Sequence, residues 1–267
     1  MTTKNWLTDA FRPVSLRELE SRASMLERLD NKYVLRASVL KQALDALMQE
    51  FDVLEIDGKR EFTYETMYFD DERRSSYFDH HQGRRRRCKV RVRKYVDAEL
   101  CFVEVKLKDK RGITVKKRLA YPLHNYGRLD EQAIAHVQRE YRALYGEDFD
   151  RRLEPAVEMC YRRITLVARD GGERMTIDSG LMFAGPRECR EVDGDAFIVE
   201  TKSANGNGIA DKILRALHQH PVKRCSKYCT AMAALREVAR HNKFLPALRK
   251  LNLVPAPARP GFAGAAA

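Results

Sequence analysis

Residues 84–118 read RRRRCKVRVRKYVDAELCFVEVKLKDKRGITVKKR. Within this stretch two-residue alternation and dense positive charge coincide. In a strand, residues two apart share a face, so Lys89, Arg91 and Arg93 line one side and Val90 and Val92 the other. The pattern returns after a short turn: Phe102, Glu104, Lys106 and Lys108 share a face opposite Cys101, Val103, Val105 and Leu107. A third segment sets Thr114, Lys116 and Arg118 against Ile113 and Val115. Three adjacent strands would gather these cations on one surface with Glu104 as the only carboxylate. A purely solvated face rarely repeats Arg-x-Arg and Glu-x-Lys-x-Lys so regularly.

The chain around it has 267 residues, 44% hydrophobic and 33% charged, which describes a globular and not a disordered protein. Its formal charge of +12 points to a polyanionic partner: nucleic acid, an anionic membrane or a phosphorylated small molecule. No signal-peptide pattern opens the sequence and nowhere do eighteen apolar residues follow one another, so a cytoplasmic location is expected. The cysteines, Cys88, Cys101, Cys160, Cys189, Cys225 and Cys229, include no C-x-x-C pair and read as reduced thiols.

In chain order, residues 1–14 read as an N-terminal arm. Ser15 with Glu18 forms a capping box before a helix over about 16–26. A first strand, ERLDNKYVL, places Arg28, Asp30 and Lys32 on one face. A helix follows over 38–50, capped by Ser38. EFTYETMYFDD is a strand alternating Phe62, Tyr64, Thr66 and Tyr68 with Thr63, Glu65, Met67 and Phe69. RRSSYFDHHQG is a loop with some helix, in which His80 and His81 are polar loop residues, and the Arg84–Arg87 run is solvated. Helical spacing over 128–145 stops at Gly146. Three more strands, EPAVEMCYRRITLVAR, ERMTIDSGLMF and DAFIVETKS, precede two helices around 209–220 and 228–239. Residues 15–245 read as one domain and 246–267 as a flexible tail. Tyr64, Tyr68, Tyr161 and Tyr228 read as core or rim.

The ordered series RLDNKY, YETMYFD, VRVRKY, FVEVKLK, KKR, CYRR, RMTIDSGL, FIVETK and RCSKY resembles the VTC (vacuolar transporter chaperone) domain and its bacterial relatives. That domain belongs to the triphosphate tunnel metalloenzymes, related to the CYTH group, and the resemblance spans roughly residues 25–240. It implies an α+β fold: a closed antiparallel β-barrel forming a tunnel, with flanking helices. It implies catalytic phosphate contacts from Lys32, Arg91, Arg93, Lys106, Arg163, Arg174 and Lys227. Arg28, Lys89, Lys116, Arg118, Lys202 and Arg224 are the further substrate-binding candidates. A divalent metal, Mn2+ or Mg2+, falls to Glu200, with Glu104 and Asp178 as helpers. One departure is Asp30, where bacterial members often carry Glu.

What these residue types can do follows from charge. A phosphate chain is negative along its whole length, and burying it needs opposing charge from all sides, with Arg offering bidentate contacts. Phosphoryl transfer asks for positioning and neutralisation more than for a covalent protein group. The implied reaction is polyphosphate polymerisation, with the terminal phosphate of ATP passing to a growing chain. Metal-dependent hydrolysis of tripolyphosphate or polyphosphate, and non-catalytic polyanion binding, are the alternatives. ATP or another nucleoside triphosphate and pyrophosphate or polyphosphate are the expected partners. Nucleic acid is disfavoured because the aromatics alternate away from the cations; a partner at a membrane stays compatible with the charge.

Overall fold

Alternation recurs from Pro13 to Pro255, and the computed structural model, which describes residues 6–23, 29–109 and 112–255, turns it into one sheet. Its strands are β1 (Pro13–Val14), β2 (Leu29–Arg36), β3 (Phe51–Leu54), β4 (Glu61–Asp70), β5 (Arg87–Tyr95), β6 (Leu100–Lys108), β7 (Thr114–Ala120), β8 (Glu154–Ala168), β9 (Arg174–Ala184), β10 (Cys189–Val192), β11 (Ala196–Ser203) and β12 (Leu253–Pro255). The helices are α1 (Leu16–Arg22), α2 (Ala37–Glu50), α3 (Ser75–Gln82), α4 (Glu131–Tyr145), α5 (Ile209–Ala216), α6 (Lys227–Ala234) and α7 (Leu245–Leu251).

An antiparallel path runs β2–β11–β9–β8–β4–β5–β6–β7. The long strands β8 and β9 change partners along their length: β8 pairs with β4 and then β3, and β9 with β11 and then β10. The α+β tunnel architecture expected from the sequence is the one observed. Lys32 on β2 and Lys106 on β6, far apart along this path, are close enough for the charge of one to act on the other. The free edge of β2 is covered in part by the segment after α5, where Val222 N donates to the Lys32 carbonyl at 2.7 Å.

Period-two patterning decides what each face of the sheet packs against. Outward-facing Val90, Val92, Val103 and Val105, at most 1% exposed, form a core with Ala133 and Val137 of α4. Each such buried side chain contributes roughly 1.5–3 kcal/mol. Tyr33, Leu35, Ile177 and Val199 likewise pack with Leu40 and Leu47 of α2 and Leu214 of α5. The inner face is divided along the strands. At one end Val34, Ile198, Met159 and Tyr161 pack with Tyr228 and Met232 of α6 and Leu251 of α7. Towards the other end the same strands present Lys32, Glu200 and Arg163. Helix α6 thus fills one half of the concave face and leaves the other charged.

The capping box of α1 forms as expected, with the Ser15 side chain accepting from Glu18 N and the Glu18 side chain from Ser15 N. Helix α2 departs from expectation: it begins at Ala37, with Arg36 at the N-cap making no side-chain bond, so Ser38 lies inside the helix. The tail boundary after residue 245 also moves. Helix α7 places Leu251 in the core and β12 pairs with β10, so the fold continues to Pro255. The expected arm is partly core as well, with Leu7 and Phe11 buried and Val14 paired beside Leu54. Among the described residues no helix is long and apolar enough to cross a membrane.

Candidate anion-binding site

The register places charged residues of neighbouring strands side by side on the inner face. Arg91 of β5 lies directly opposite Tyr68 of β4 and Glu104 of β6, and Glu104 opposite Arg118 of β7. Arg163 of β8 pairs with Asp178 of β9, and Glu200 of β11 with Lys32 of β2. Direct cross-strand neighbours share a face and touch.

Each of the three carboxylates is engaged by at least two cations. Glu104, 1% exposed, accepts from Arg91 Nε at 2.6 Å and forms an ion pair with Lys116, while Arg93 reaches 4.0 Å. Asp178, fully buried, accepts both arms of Arg163 at 2.6 and 2.8 Å and meets Lys227 Nζ at 2.5 Å. Glu200 contacts Lys32 and Lys202, and Lys202 also lies 3.9 Å from the Asp30 carboxylate. Burial opposes ionisation of Glu104 and Asp178, but the adjoining cations outweigh it and hold both pKa values below the ordinary carboxylate range. Arg163 is correspondingly raised despite its desolvation.

The lysines bear the cost of crowding. Burial, followed by the Lys227 charge, pushes Lys32 down to about 8. Burial and the charges of Lys32, Lys89 and Arg91 do the same to Lys106, also to about 8. Lys116 falls to about 8 mainly through desolvation, against the pull of Glu104. Lys106 makes no hydrogen bond or ion pair within 4 Å among the described residues and stands between Lys89 and Lys116 in register.

Beneath the cations lies an aromatic floor. Tyr64 and Tyr161 stack with centroids 5.4 Å apart, and Arg163 lies 5.2 and 5.3 Å from their centroids. Arg93, 5% exposed, sits 5.5 Å from Tyr64 and donates from Nε to Thr66 Oγ1 at 3.2 Å. Tyr68 Oη accepts from Arg91 at 2.8 Å. Burial opposes ionisation of this phenol, yet Arg91, Arg93 and Lys89 bring its pKa down to about 8. These ring–cation contacts fix the guanidinium planes before any ligand arrives.

At the α6 end, Ser226 caps the helix and its Oγ accepts from Lys89 Nζ at 2.9 Å. Lys89 also meets His80 Nδ1 at 3.1 Å. Burial and the charges of Lys89, Arg87 and Arg224 depress His80 to about 2, so its ring is neutral and Nδ1 accepts.

A model of the VTC domain matches residues 27–236. The chain belongs to the VTC domain family. No curated protein matches it in sequence. Among solved structures it is similar to a putative adenylyl cyclase from Hippeastrum, reported with a dominant triphosphatase activity (13% identity, TM-score 0.45, 77% of this chain and 96% of that one). It is also similar to a putative adenylate cyclase from Bacillus halodurans (9%, 0.44, 75% and 95%) and to the PH1819 protein from Pyrococcus horikoshii (11%, 0.40, 79% and 100%). Family membership supports chemistry on triphosphate or polyphosphate.

Against this VTC domain the expected site residues sort unevenly. The structure brings Arg91, Arg93 and Lys116 together at Glu104, Arg163 and Lys227 at Asp178, and Lys32 and Lys202 at Glu200, with Lys89 and Lys106 neighbours in register. Arg174 stands opposite Lys202 in register at the start of β9. Arg118 is exposed, 5.0 Å from the Phe102 ring. Arg224 donates to the carbonyls of His80 and His81 at the end of α3, both at 3.3 Å. Arg28 lies outside the described residues.

The metal set is not assembled. Glu104, Asp178 and Glu200 sit on different strands, each between cations, and no three His, Cys, Asp or Glu side chains converge among the described residues. As placed, each of these carboxylates is a counter-ion to neighbouring cations.

Sequence reasoning missed Thr66, Tyr68 and Ser226 as parts of the site, and placed His80 and His81 in a polar loop. Both histidines belong to α3, and His81 is only 3% exposed. For Tyr68 the signal was present: it shares the β4 face of Thr66, which the register sets against Arg93.

Proposed function

We propose that this VTC domain is a polyphosphate polymerase that transfers the terminal phosphate of ATP to the end of a phosphate chain. One observation carries the reading: Arg91, Arg93 and Lys116 surround Glu104, and Arg163 and Lys227 surround Asp178, so the cations outnumber the carboxylate in both of these buried groups. A surface that stays positive after its own carboxylates are counted needs an external anion with many charges, and a phosphate chain supplies them in a row.

In this reading Arg91, Arg93 and Arg163, held flat by Tyr64, Tyr68 and Tyr161, bind the oxygens on either side of the bond being exchanged. Lys32, Lys106 and Lys227 neutralise neighbouring phosphates. An oxygen of the chain end forms a bond to the γ-phosphorus of ATP, the bond from that phosphorus to the β–γ bridging oxygen breaks, and ADP leaves with the electron pair. Charge on the transferring group is met by fixed guanidinium groups.

Transfer is favoured over hydrolysis by the state of the bases. A chain-end phosphate is already anionic, whereas water must give up a proton. Glu104, Asp178 and Glu200 are engaged by cations, and His80 Nδ1 faces the Lys89 ammonium. Incubating the purified protein with ATP and manganese, and resolving products by gel electrophoresis and phosphorus NMR, tests the reading. Long phosphate chains with ADP are expected. Orthophosphate as the sole product would make the protein a hydrolase, and polyphosphate binding without turnover would make it a binding module.

A further inference from the structure

Beyond its arginines the inner face turns aromatic and opens to solvent. Along β6, Glu104 is 1% exposed, Phe102 is half-buried and Leu100 is 50% exposed. Phe102 lies directly opposite Arg93, one inner-face position on from the pairing of Arg91 with Glu104. The side chains of that pair diverge. Arg93 turns onto Tyr64 and Tyr161, 5.5 and 5.9 Å from their centroids. The Phe102 ring instead meets Tyr95 edge-on at 5.8 Å, and Tyr95 in turn lies 5.0 Å from Tyr64. An aromatic run from Tyr161 through Tyr64 and Tyr95 to Phe102 thus leads from the buried guanidinium groups to the rim.

Arg118 completes that rim. It stands opposite Glu104 in register, but the carboxylate is taken up by Arg91 and Lys116, and the Arg118 guanidinium lies over the Phe102 ring at 5.0 Å. Unlike Arg93, it is exposed. An aromatic ring and a planar guanidinium on a long solvated stem are the two kinds of surface on which a nucleobase stacks. A two-residue step along a strand is about 7 Å. A nucleotide whose phosphates lie at Arg91 and Arg93 therefore reaches Phe102 with its nucleoside while staying on one face. An inorganic phosphate chain has no group that gains from this surface.

We infer that Phe102 and Arg118 form a nucleobase subsite, in which the base of a nucleoside triphosphate stacks on the Phe102 ring and the Arg118 guanidinium closes over it. The subsite tells a nucleotide from an inorganic phosphate chain, and Arg118 serves the base and not the phosphates. This rests on reading the surface as a triphosphate site that accepts ATP.

The test is calorimetric titration of chelator-treated protein with ATP and with inorganic tripolyphosphate, which share the triphosphate and differ in the nucleoside. Phe102→Ala, which changes no charge, should weaken ATP binding about tenfold or more and leave tripolyphosphate affinity within about twofold of wild type. Arg118→Met should likewise lower ATP affinity more than tripolyphosphate affinity. In Phe102→Trp, ATP should quench the new indole emission and tripolyphosphate should not, measured against wild type, whose one tryptophan is Trp6. Equal losses for the two ligands, or unchanged ATP affinity in Phe102→Ala, would overturn the inference. If Phe102→Ala fails to fold, Phe102→Leu keeps the apolar bulk, removes the ring and is judged by the same ratio. Wild type that binds tripolyphosphate but not ATP overturns the subsite alone. Wild type that binds neither, in chelator or with Ca2+ in its place, overturns the functional reading.

Discussion

Asp178 accepts both arms of the Arg163 guanidinium, at 2.6 and 2.8 Å, while Lys227 reaches the same carboxylate at 2.5 Å from the first turn of α6. This contact ties β8, β9 and α6 together at the point where the inner face changes from apolar to charged. Asp178→Asn removes the charge and leaves Arg163 and Lys227 facing each other in a buried setting. Breaking a buried pair in this way costs about 3–5 kcal/mol. The denaturant midpoint should fall accordingly, and saturating tripolyphosphate should restore part of the loss by replacing the missing counter-ion. A variant as stable as wild type would show that Asp178 is not the counter-ion of this junction.

Lys106 separates binding from stability. It stands in register between Lys89 and Lys116 and contacts no carboxylate within 4 Å among the described residues. Lys106→Met should therefore leave the unfolding free energy unchanged or raise it. A charged hydrogen bond to a phosphate is worth roughly 1.5–3 kcal/mol, so tripolyphosphate affinity should fall by about tenfold or more. Calorimetric titration alongside thermal unfolding measures both, and a drop in stability with unchanged affinity would remove Lys106 from the site.

Titration of the lysines sets a pH window with opposite effects on stability and binding. Lys32, Lys106 and Lys116 have pKa values of about 8 in the fold against 10.5 for a free lysine. Between these values the unfolded chain holds more protons than the folded one, so their contribution makes stability rise with pH across the window. Anion binding requires the charged form and should weaken as pH rises through about 8, with protons taken up on binding at the upper end. Calorimetry in buffers of different ionisation heat reads that uptake. Affinity constant from pH 7 to about 10 would contradict the assignment.

Tyr228→Phe tests the support beneath the site. Tyr228 Oη donates to the buried Asp70 at 2.5 Å, and Asp70 also accepts from the backbone of Ser76 and Tyr77 at the start of α3. The ring stacks on Tyr68 at 5.0 Å, a contact that phenylalanine keeps. Losing a hydrogen bond to a carboxylate costs roughly 1.5–3 kcal/mol. Stability should drop by that amount, and the loss should be larger near neutral pH than at a pH low enough to protonate Asp70. Equal loss at both would show that packing alone holds α6.

Sequence alone determined much of this protein, because strands and their faces are local properties. The alternation in β5 and β6 separates Val90, Val92, Val103 and Val105 from Lys89, Arg91 and Glu104, and the apolar set packs on α4 while the charged set faces inward. The ordered basic motifs are by themselves those of the family whose model matches residues 27–236. Helix α3 was less legible: SSYFDHHQ carries no continuous apolar stripe, and the contact of Tyr77 with Phe244 stabilises it where helical periodicity is weak.

The tertiary structure decided which charges meet. Asp178 and Lys227 are far apart in the chain, as are Lys32 and Glu200, and only strand pairing and the docking of α6 bring them into contact. Sequence therefore listed Glu104, Asp178 and Glu200 as acids near bases without fixing their role. Proximity turned them into counter-ions, because at a few ångströms in a buried setting a carboxylate between two cations stays charged and occupied. The local pattern wrote the faces, and long-range pairing assigned their chemistry.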